Sequence, residues 1–563
     1  MWQHNYTPVG GSLALSALLA AIPIVVLFVM LGVLRKPAWM AAVSAVVSAL
    51  LVALLGYGMP VPLALAATLY GAATGVFPIA WIVFASIMLY RLAVDTGKFE
   101  IIKDSIAGLT SDRRLQAMFI AFSFGAFIEG AAGFGAPVAI SGAMLAGLGF
   151  DPFFAAGICL LANTAPVAFG SIGIPVTTLA TVTGLPVLAL SAMVGRLCAM
   201  ISIIIPGYLI VVMSGWKRAG EVLPAIIACG VSFAGMQFVV SNYMGPELTD
   251  ILSSLTCIVV MVLVITFWKP KTIMRLEGDK PITVDMKRHP AGELMMAWSP
   301  YLLLVVFVLL WGDADIKLAI NRWTDSLLPA WVPAFPGPKT TGQLNRLMWP
   351  GLHNLITQVP PVVRQPAPYG ALYELNWLSA SGTACFFAIL GTAAVLRVAP
   401  SRVVKAYVDT FKQLKLAILT IAMMLGLAQL MNYSGMTSTM GLALAASGVA
   451  FPFFSAVVGW LGVFLTGSDT SANALFGNLQ VVTANALGLN PILTASVNSA
   501  AGVMGKMISV QSIAVAVAAT GMTRADESRL FRFTIKHSIL LMVVMACISM
   551  LYAYVFPSLV PSP

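Results

Sequence analysis

Apolar runs of about 20 residues recur from one end of this chain to the other, and each is long enough to cross roughly 30 Å of hydrocarbon at about 1.5 Å per residue. Spans are expected near 12–34, 38–57, 72–90, 152–184, 188–213, 222–240, 247–267, 294–312, 379–397, 416–433, 491–521 and 537–556. Strand-like alternation is absent, so helices are expected to do the crossing; lipid admits only helices and closed barrels. The fold class read from this is an all-α integral membrane protein with about 12 transmembrane helices. A chain that is 59% hydrophobic and 9% charged is not a soluble domain. The first run, Ser12 to Leu34, lacks a basic leader and a small-residue cleavage site and reads as a retained span.

Two further apolar segments, 115–149 and 453–486, are interrupted in the middle. The first interruption is Glu129-Gly130-Ala131-Ala132-Gly133-Phe134-Gly135-Ala136-Pro137; the second is Thr466-Gly467-Ser468-Asp469-Thr470-Ser471-Ala472-Asn473. Each is expected to form a re-entrant hairpin, tolerated at membrane depth only where protein or water shields the irregular backbone.

Loop charges give an orientation. Of the 31 Lys and Arg, 24 fall in alternate loops, which are therefore expected to be cytoplasmic. Both termini then lie outside the cell, and the net charge of +10 reflects retained loops, with no call for nucleic acid. The six cysteines lie in apolar spans with no Cys-x-x-Cys pair and no neighbouring histidine, so neither disulfides nor a zinc site are expected; no other metal and no cofactor is expected either.

An internal repeat emerges at offsets of 337 to 339: Asp95-Thr96-Gly97 against Tyr433-Ser434-Gly435, Glu129-Gly130 against Thr466-Gly467, Asp151-Pro152 against Asn490-Pro491, and Thr183-Gly184 against Thr520-Gly521. The loop charges make the copies opposite in topology. The organisation expected is a first span (1–37), a first repeat (38–213, hairpin 115–149, broken helix 152–184), linking helices (214–312), an extracytoplasmic loop (313–378) and a second repeat (379–563, hairpin 453–486, broken helix 491–521). Inverted-topology repeats with hairpins and broken helices are the architecture of secondary transporters, whose sites lie between the repeats; analogy at fold level adds elevator-type movement.

Charges inside these segments are scarce enough to name. Glu129 and Asp469 are the carboxylates of the two hairpins, and Lys506 is the sole cation of the four motif segments. An ionisable group at membrane depth is by default functional; a structural salt bridge from Lys506 to one carboxylate is the competing reading. Glu129, among glycine, alanine and phenylalanine, is the first choice for a proton carrier. Asp469 is the second, because Ser468, Thr470, Ser471 and Asn473 can hydrogen-bond its charged form. Protonation of one carboxyl would leave Lys506 free to meet an anion. Asn163, Thr164, Ser171 and Gln511, with Gly130 and Gly467 at the breaks, complete the substrate-site candidates; interhelical hydrogen bonding competes for them. Arg196 stands between snorkelling and anion attraction.

At Glu129-Gly130-Ala131-Ala132-Gly133-Phe134-Gly135-Ala136-Pro137, Ala162-Asn163-Thr164-Ala165-Pro166, Leu465-Thr466-Gly467-Ser468-Asp469-Thr470-Ser471 and Gly505-Lys506-Met507-Ile508-Ser509 the sequence resembles the bacterial L-lactate permease family, which includes glycolate permeases. The resemblance covers nearly the full length. It implies proton-coupled import of lactate, D-lactate or glycolate across the bacterial inner membrane, with a small carboxylate, protons and the bilayer as partners. An anion channel and an exchanger or exporter are the alternatives, an enzyme is not expected, and oligomeric state is open, a homodimer included.

Overall fold

The computed structural model describes residues 1–107, 109–133, 135–274, 289–328 and 344–562. Phe134 of the first motif, most of the expected loop 269–288 and part of loop 313–378 thus lie outside the described residues. Helix α1 (Leu13–Phe28) is capped by the Ser12 hydroxyl, which accepts from Leu15 N, and widens into a π-helical end at Val29–Val33. Helix α2 (Ala38–Leu51) continues likewise to Gly56. Helices α3 (Val61–Thr74) and α4 (Trp81–Asp95) form one long span interrupted at Phe77, whose φ of −139° and ψ of 127° are extended, as the proline at 78 demands of the residue before it.

After α5 (Lys98–Ala107), a short α6 (Arg113–Gln116), π-helical Ala117–Phe124 and α7 (Gly125–Ala131) run without interruption to the glycine-rich break. Helix α8 (Ala136–Gly147) starts from Gly135, at φ 83°, and packs back on both α7 and the π-helical stretch. Helices α9 (Pro152–Ala162) and α10 (Gly170–Thr183) meet at a bend of 63°. Four long helices follow: α11 (Val187–Gly220), α12 (Leu223–Tyr243), α13 (Thr249–Phe267) and α14 (Ala291–Gly312). Helix α15 (Ala314–Ser326) leads toward the long connection.

The expectation of helices alone needs amending there. Strands β1 (Trp2–Gln3), β2 (Arg346–Met348), β3 (Ile356–Gln358), β4 (Ala367–Pro368) and β5 (Leu372–Glu374) form a three-stranded sheet, β1-β3-β4, and a two-stranded ladder, β2-β5. Strands of two or three residues are too short to show a period-two pattern.

The remaining helices are α16 (Ser381–Val395), α17 (Pro400–Ser434), α18 (Met436–Leu444), α19 (Phe451–Thr466), α20 (Asp469–Leu487), α21 (Pro491–Lys506), α22 (Val510–Ala519) and α23 (Glu527–Tyr554). Helices α19 and α20 pack together across Gly467, and α21 and α22 bend by 41°. Among the described residues ten helices are long and apolar enough to cross a membrane, or twelve if each bent pair is one span. The chain is a multi-pass membrane protein.

Some boundaries fall short of expectation by a residue or two, as at α16, and two begin well before it. The span expected at 416–433 starts at Pro400 and that at 537–556 starts at Glu527, so cations assigned to loops stand on helix. Hydropathy ends at the first charges, but Lys, Arg and Glu are good helix formers and carry the hydrogen-bond ladder on. Left-handed glycines recur with the repeat: Gly97, Gly149 and Gly184 are matched by Gly435, Gly488 and Gly521, at offsets of 338, 339 and 337.

Two apolar cores result. The larger joins α4 through α14 to α21 and α23. The smaller packs α1, α2 and α3 against Met424, Leu427, Leu430 and Met431 of α17, and takes in Met436 and Met440 of α18, Leu475, Phe476 and Leu479 of α20, and Leu352 and Ile356. Helices α19 and α21 approach closely because Gly459 and Gly505 lack side chains: a Cβ on Gly459 would strike the Asn498 carbonyl, and one on Gly505 the Trp460 carbonyl.

Candidate functional site

Lys506 ends α21 where the backbone breaks at Met507–Ser509, and its side chain reaches across to α7. Its Nζ donates to Glu129 Oε1 at 2.9 Å. Glycine makes room for the carboxylate, since a Cβ on Gly170 would stand 2.6 Å from Glu129 Oε1. The break between α9 and α10 is fixed by backbone that only a supporting structure holds. Ser171, Ile172 and Gly173 have φ of 47°, 61° and 72°, and each non-glycine residue there costs about 1–3 kcal/mol. The Ser171 hydroxyl donates to the Ala132 carbonyl at 2.9 Å, tying this break to the one between α7 and α8.

Asp469 opens α20. Ser468 caps that helix, accepting from Ser471 N at 3.3 Å, and Gly467 before it turns left-handed at φ 69°. Asp469 Oδ2 accepts from the Ser499 hydroxyl at 2.6 Å and from Asn473 Nδ2 at 3.3 Å. Asn473 Nδ2 also donates to the Pro175 carbonyl of α10 at 3.1 Å. Behind it, Asn498 donates to Asn473 Oδ1 at 2.9 Å and Gln480 to Asn498 Oδ1 at 3.1 Å. This buried chain of amides positions Asp469 and leaves its Oδ1 without a partner among the described residues.

The two carboxylates and the cation border one cavity of about 240 Å³. Its polar lining is Glu129, Ser171, Thr420, Thr466, Ser468, Asp469, Thr470, Ser471, Lys506, Gln511 and Ser512, with Gly467 at the break; Leu27, Leu31, Ile421 and Met424, from α1, its π-helical end and α17, supply apolar lining. Chemically the lining offers one ammonium, several hydroxyls, an amide and aliphatic side chains, the groups that a small anion with a short alkyl group would need.

Not every expected residue comes to this cavity. Asn163 and Thr164 lie beside Lys506 around a smaller void, with Met507 and Ser512. Gly130 packs against Asp250 and Ile251. Asn473 stands behind Asp469. Arg196 donates to Asn242 Oδ1 at 2.9 Å and to the Leu559 carbonyl, and does not line the cavity.

Asp250, Ser499, Asn498 and Gln480 were not singled out by sequence. Asp250 could have been, as a carboxylate within an expected span, 247–267; its place near the span's start made it look like an edge charge. Among the described residues no group of three or more His, Cys, Asp or Glu could hold a metal.

Comparison with known proteins places these features in a family. The model of a family described as L-lactate permease matches residues 16–556. The chain is 46% identical over 571 residues to an L-lactate permease of Bacillus subtilis (strain 168), covering all of both chains. It is 44% identical over 573 residues to the glycolate permease GlcA of Escherichia coli (strain K12), again covering all of both. Among solved structures it is similar to the YdaH transporter of Alcanivorax borkumensis, with 14% identity, 86% of this chain and 87% of that one covered, and a TM-score of 0.43.

Proposed function

The chain belongs to the L-lactate permease family, and from that premise we propose that it carries lactate or glycolate across the bacterial inner membrane by proton symport. The observation that carries this reading is the Lys506–Glu129 pair on the wall of a small cavity. With no substrate the two charges satisfy each other. An entering carboxylate competes with Glu129 for Lys506, and Glu129, left without its counter-ion in a buried place, takes a proton. Substrate and proton then support each other's binding, and the empty and loaded sites carry equal charge. That equality suits a site that must cross the membrane in both states.

The apolar lining receives the substrate's alkyl group, and Ser468, Thr470, Ser471 and Gln511 are assigned to its hydroxyl and carboxylate oxygens. Asp469, held by Ser499 and Asn473, keeps the second break in place and is the alternative proton carrier. The breaks at Ala132–Gly135 and Gly467–Ser468 are the tips of two re-entrant hairpins, in repeats of inverted topology with both termini outside. The recurrence of left-handed glycines at one offset and the opposed loop charges support this. The smaller apolar core of α1, α2, α3 and α17 is assigned to a static wall along which the hairpins move in an elevator-type cycle.

Uptake of labelled L-lactate, D-lactate and glycolate into vesicles with an imposed pH gradient tests the proposal. Accumulation above equilibrium that collapses with a protonophore is expected. Uptake that never exceeds equilibrium would replace symport with a channel or facilitator.

A further inference from the structure

Asp250 is a buried carboxylate that does not line the substrate cavity. It stands in the first turn of α13, fully buried, and neither carboxylate oxygen has a hydrogen-bond partner among the described residues. Its Cβ lies against Gly130, where an added methyl would sit 2.7 Å away. It is thus packed one residue from Glu129, whose Oε2 is likewise unpartnered. The charged groups that face it are Glu129 of α7 and Lys506 of α21, and Cys198 of α11 is a further titratable neighbour. The other elements packed on α13 are α12, α10 and the π-helical stretch 117–124. Helix α12 meets it with Cys229, but at Cys257, seven residues further along α13; α10 and the π-helical stretch contain no titratable side chain. Lys506 is bonded to Glu129 and neither Asp250 oxygen has a donor among the described residues, and a buried carboxylate without donors is costly whereas a carboxylic acid is tolerated.

Three residues earlier in the chain a second cavity begins. It measures about 280 Å³ and is walled by Glu247, Leu248, Asp313, Lys317 and Ser381 among others. Glu247 Oε1 accepts from the Ser381 hydroxyl there at 3.1 Å.

We propose that Asp250 is a proton-binding site that loads Glu129 from this second cavity, apart from the substrate's own path. The inference rests on the proton-symport reading. While Lys506 pairs with Glu129, Asp250 holds its proton. When a substrate carboxylate takes Lys506, the Asp250 O–H bond breaks and an O–H bond forms on Glu129; a proton delivered from water in the second cavity, past Glu247, restores the Asp250 acid. One proton enters per monocarboxylate, and the site has the same charge empty and loaded.

The test uses the purified full-length protein in proteoliposomes, with labelled L-lactate. Asp250→Asn is expected to cut pH-gradient-driven accumulation roughly tenfold or more, while exchange of labelled for unlabelled lactate at equal pH falls less than about threefold, since a group used in one step should affect that step alone. Glu247→Gln is expected to slow pH-driven uptake at least about threefold by the same logic. Wild-type accumulation in Asp250→Asn, or equal loss of accumulation and exchange, overturns the assignment. If Asp250→Asn does not assemble, Glu247→Gln decides, and an unchanged pH-driven rate overturns the route. Failure of the wild-type protein itself to accumulate lactate would overturn the symport reading, and this inference with it.

Discussion

Lys506 and Glu129 are 377 residues apart in the chain and 2.9 Å apart in space, joining the break after α21 to the break after α7. Both side chains are nearly removed from solvent, at 11% and 3% exposure. Removing one partner strands the other's charge, which costs about 3–5 kcal/mol in buried pairs. Lys506→Met is therefore expected to lower the thermal stability of the detergent-solubilised protein, and Glu129→Gln combined with Lys506→Met to restore much of it. A double variant no more stable than the worse single one would mean that the pair does not hold the breaks together.

Under the proposed function the same residues are expected to separate binding from coupling. Lys506→Met should abolish saturable lactate binding, and Lys506→Arg should impair it, because a planar fork replaces a compact ammonium. Glu129→Gln imitates the protonated carboxyl without releasing a proton. It is expected to retain some lactate exchange and lose pH-driven accumulation. Full concentrative uptake by Glu129→Gln would remove Glu129 from the mechanism.

Lactate and glycolate differ by one methyl group, and under the proposed function the aliphatic lining of the cavity is the surface that would read that difference. Ile421→Ala removes part of this surface. Lactate should lose about 1 kcal/mol relative to glycolate, roughly fivefold in the ratio of their kcat/KM values. An unchanged ratio in transport assays would place the methyl group elsewhere.

How far these parts could be read from sequence depended on how scarce each signal was. Glu129, Asp469 and Lys506 stood out because long apolar segments around them contain no other charge, and they do line one cavity. The glycine-rich breaks were equally legible, since Gly135 and Gly467 adopt φ of 83° and 69°. Leu27, Leu31, Ile421 and Met424 could not be picked out, because an aliphatic residue facing the cavity has the same pattern as one facing lipid. Asn163 and Thr164 sit beside Lys506 but off the cavity, a difference of one helix face that spacing alone does not resolve. Asp250 was hidden by its position at a span's edge, where a charge is unremarkable until packing buries it.

His289 links α5 to α14, its ring nitrogens 3.2 Å from Asp104 Oδ2 and 3.2 Å from Glu293 Oε2. Asp104, then Glu293, favour the protonated ring and raise its pKa above the ordinary 6.5. A group whose native pKa is raised contributes fully below its unfolded value and loses that contribution as pH climbs through the native one. The difference in unfolding temperature between wild type and His289→Asn should therefore be largest below pH 6.5 and vanish in alkaline buffer. A difference that grows with pH would contradict this sign.

The proposed movement of two hairpins against a wall formed by α1 and α17 can be tested by blocking it. Thr420 of α17 and Val515 of α22 both line the cavity and are half-buried, and they belong to opposite sides of the proposed motion. Five of the six native cysteines are buried, so replacing exposed Cys547 by serine gives a workable background. Cysteines placed at both positions and bridged by a short bifunctional maleimide should block transport, while each single variant treated with the same reagent transports more than the bridged pair. Small-amplitude gating local to the hairpin tips would survive the bridge, because it needs no sliding of one core past the other. Transport that continues through a quantitatively bridged pair would therefore exclude the elevator-type cycle and leave the Lys506–Glu129 site with local gates only.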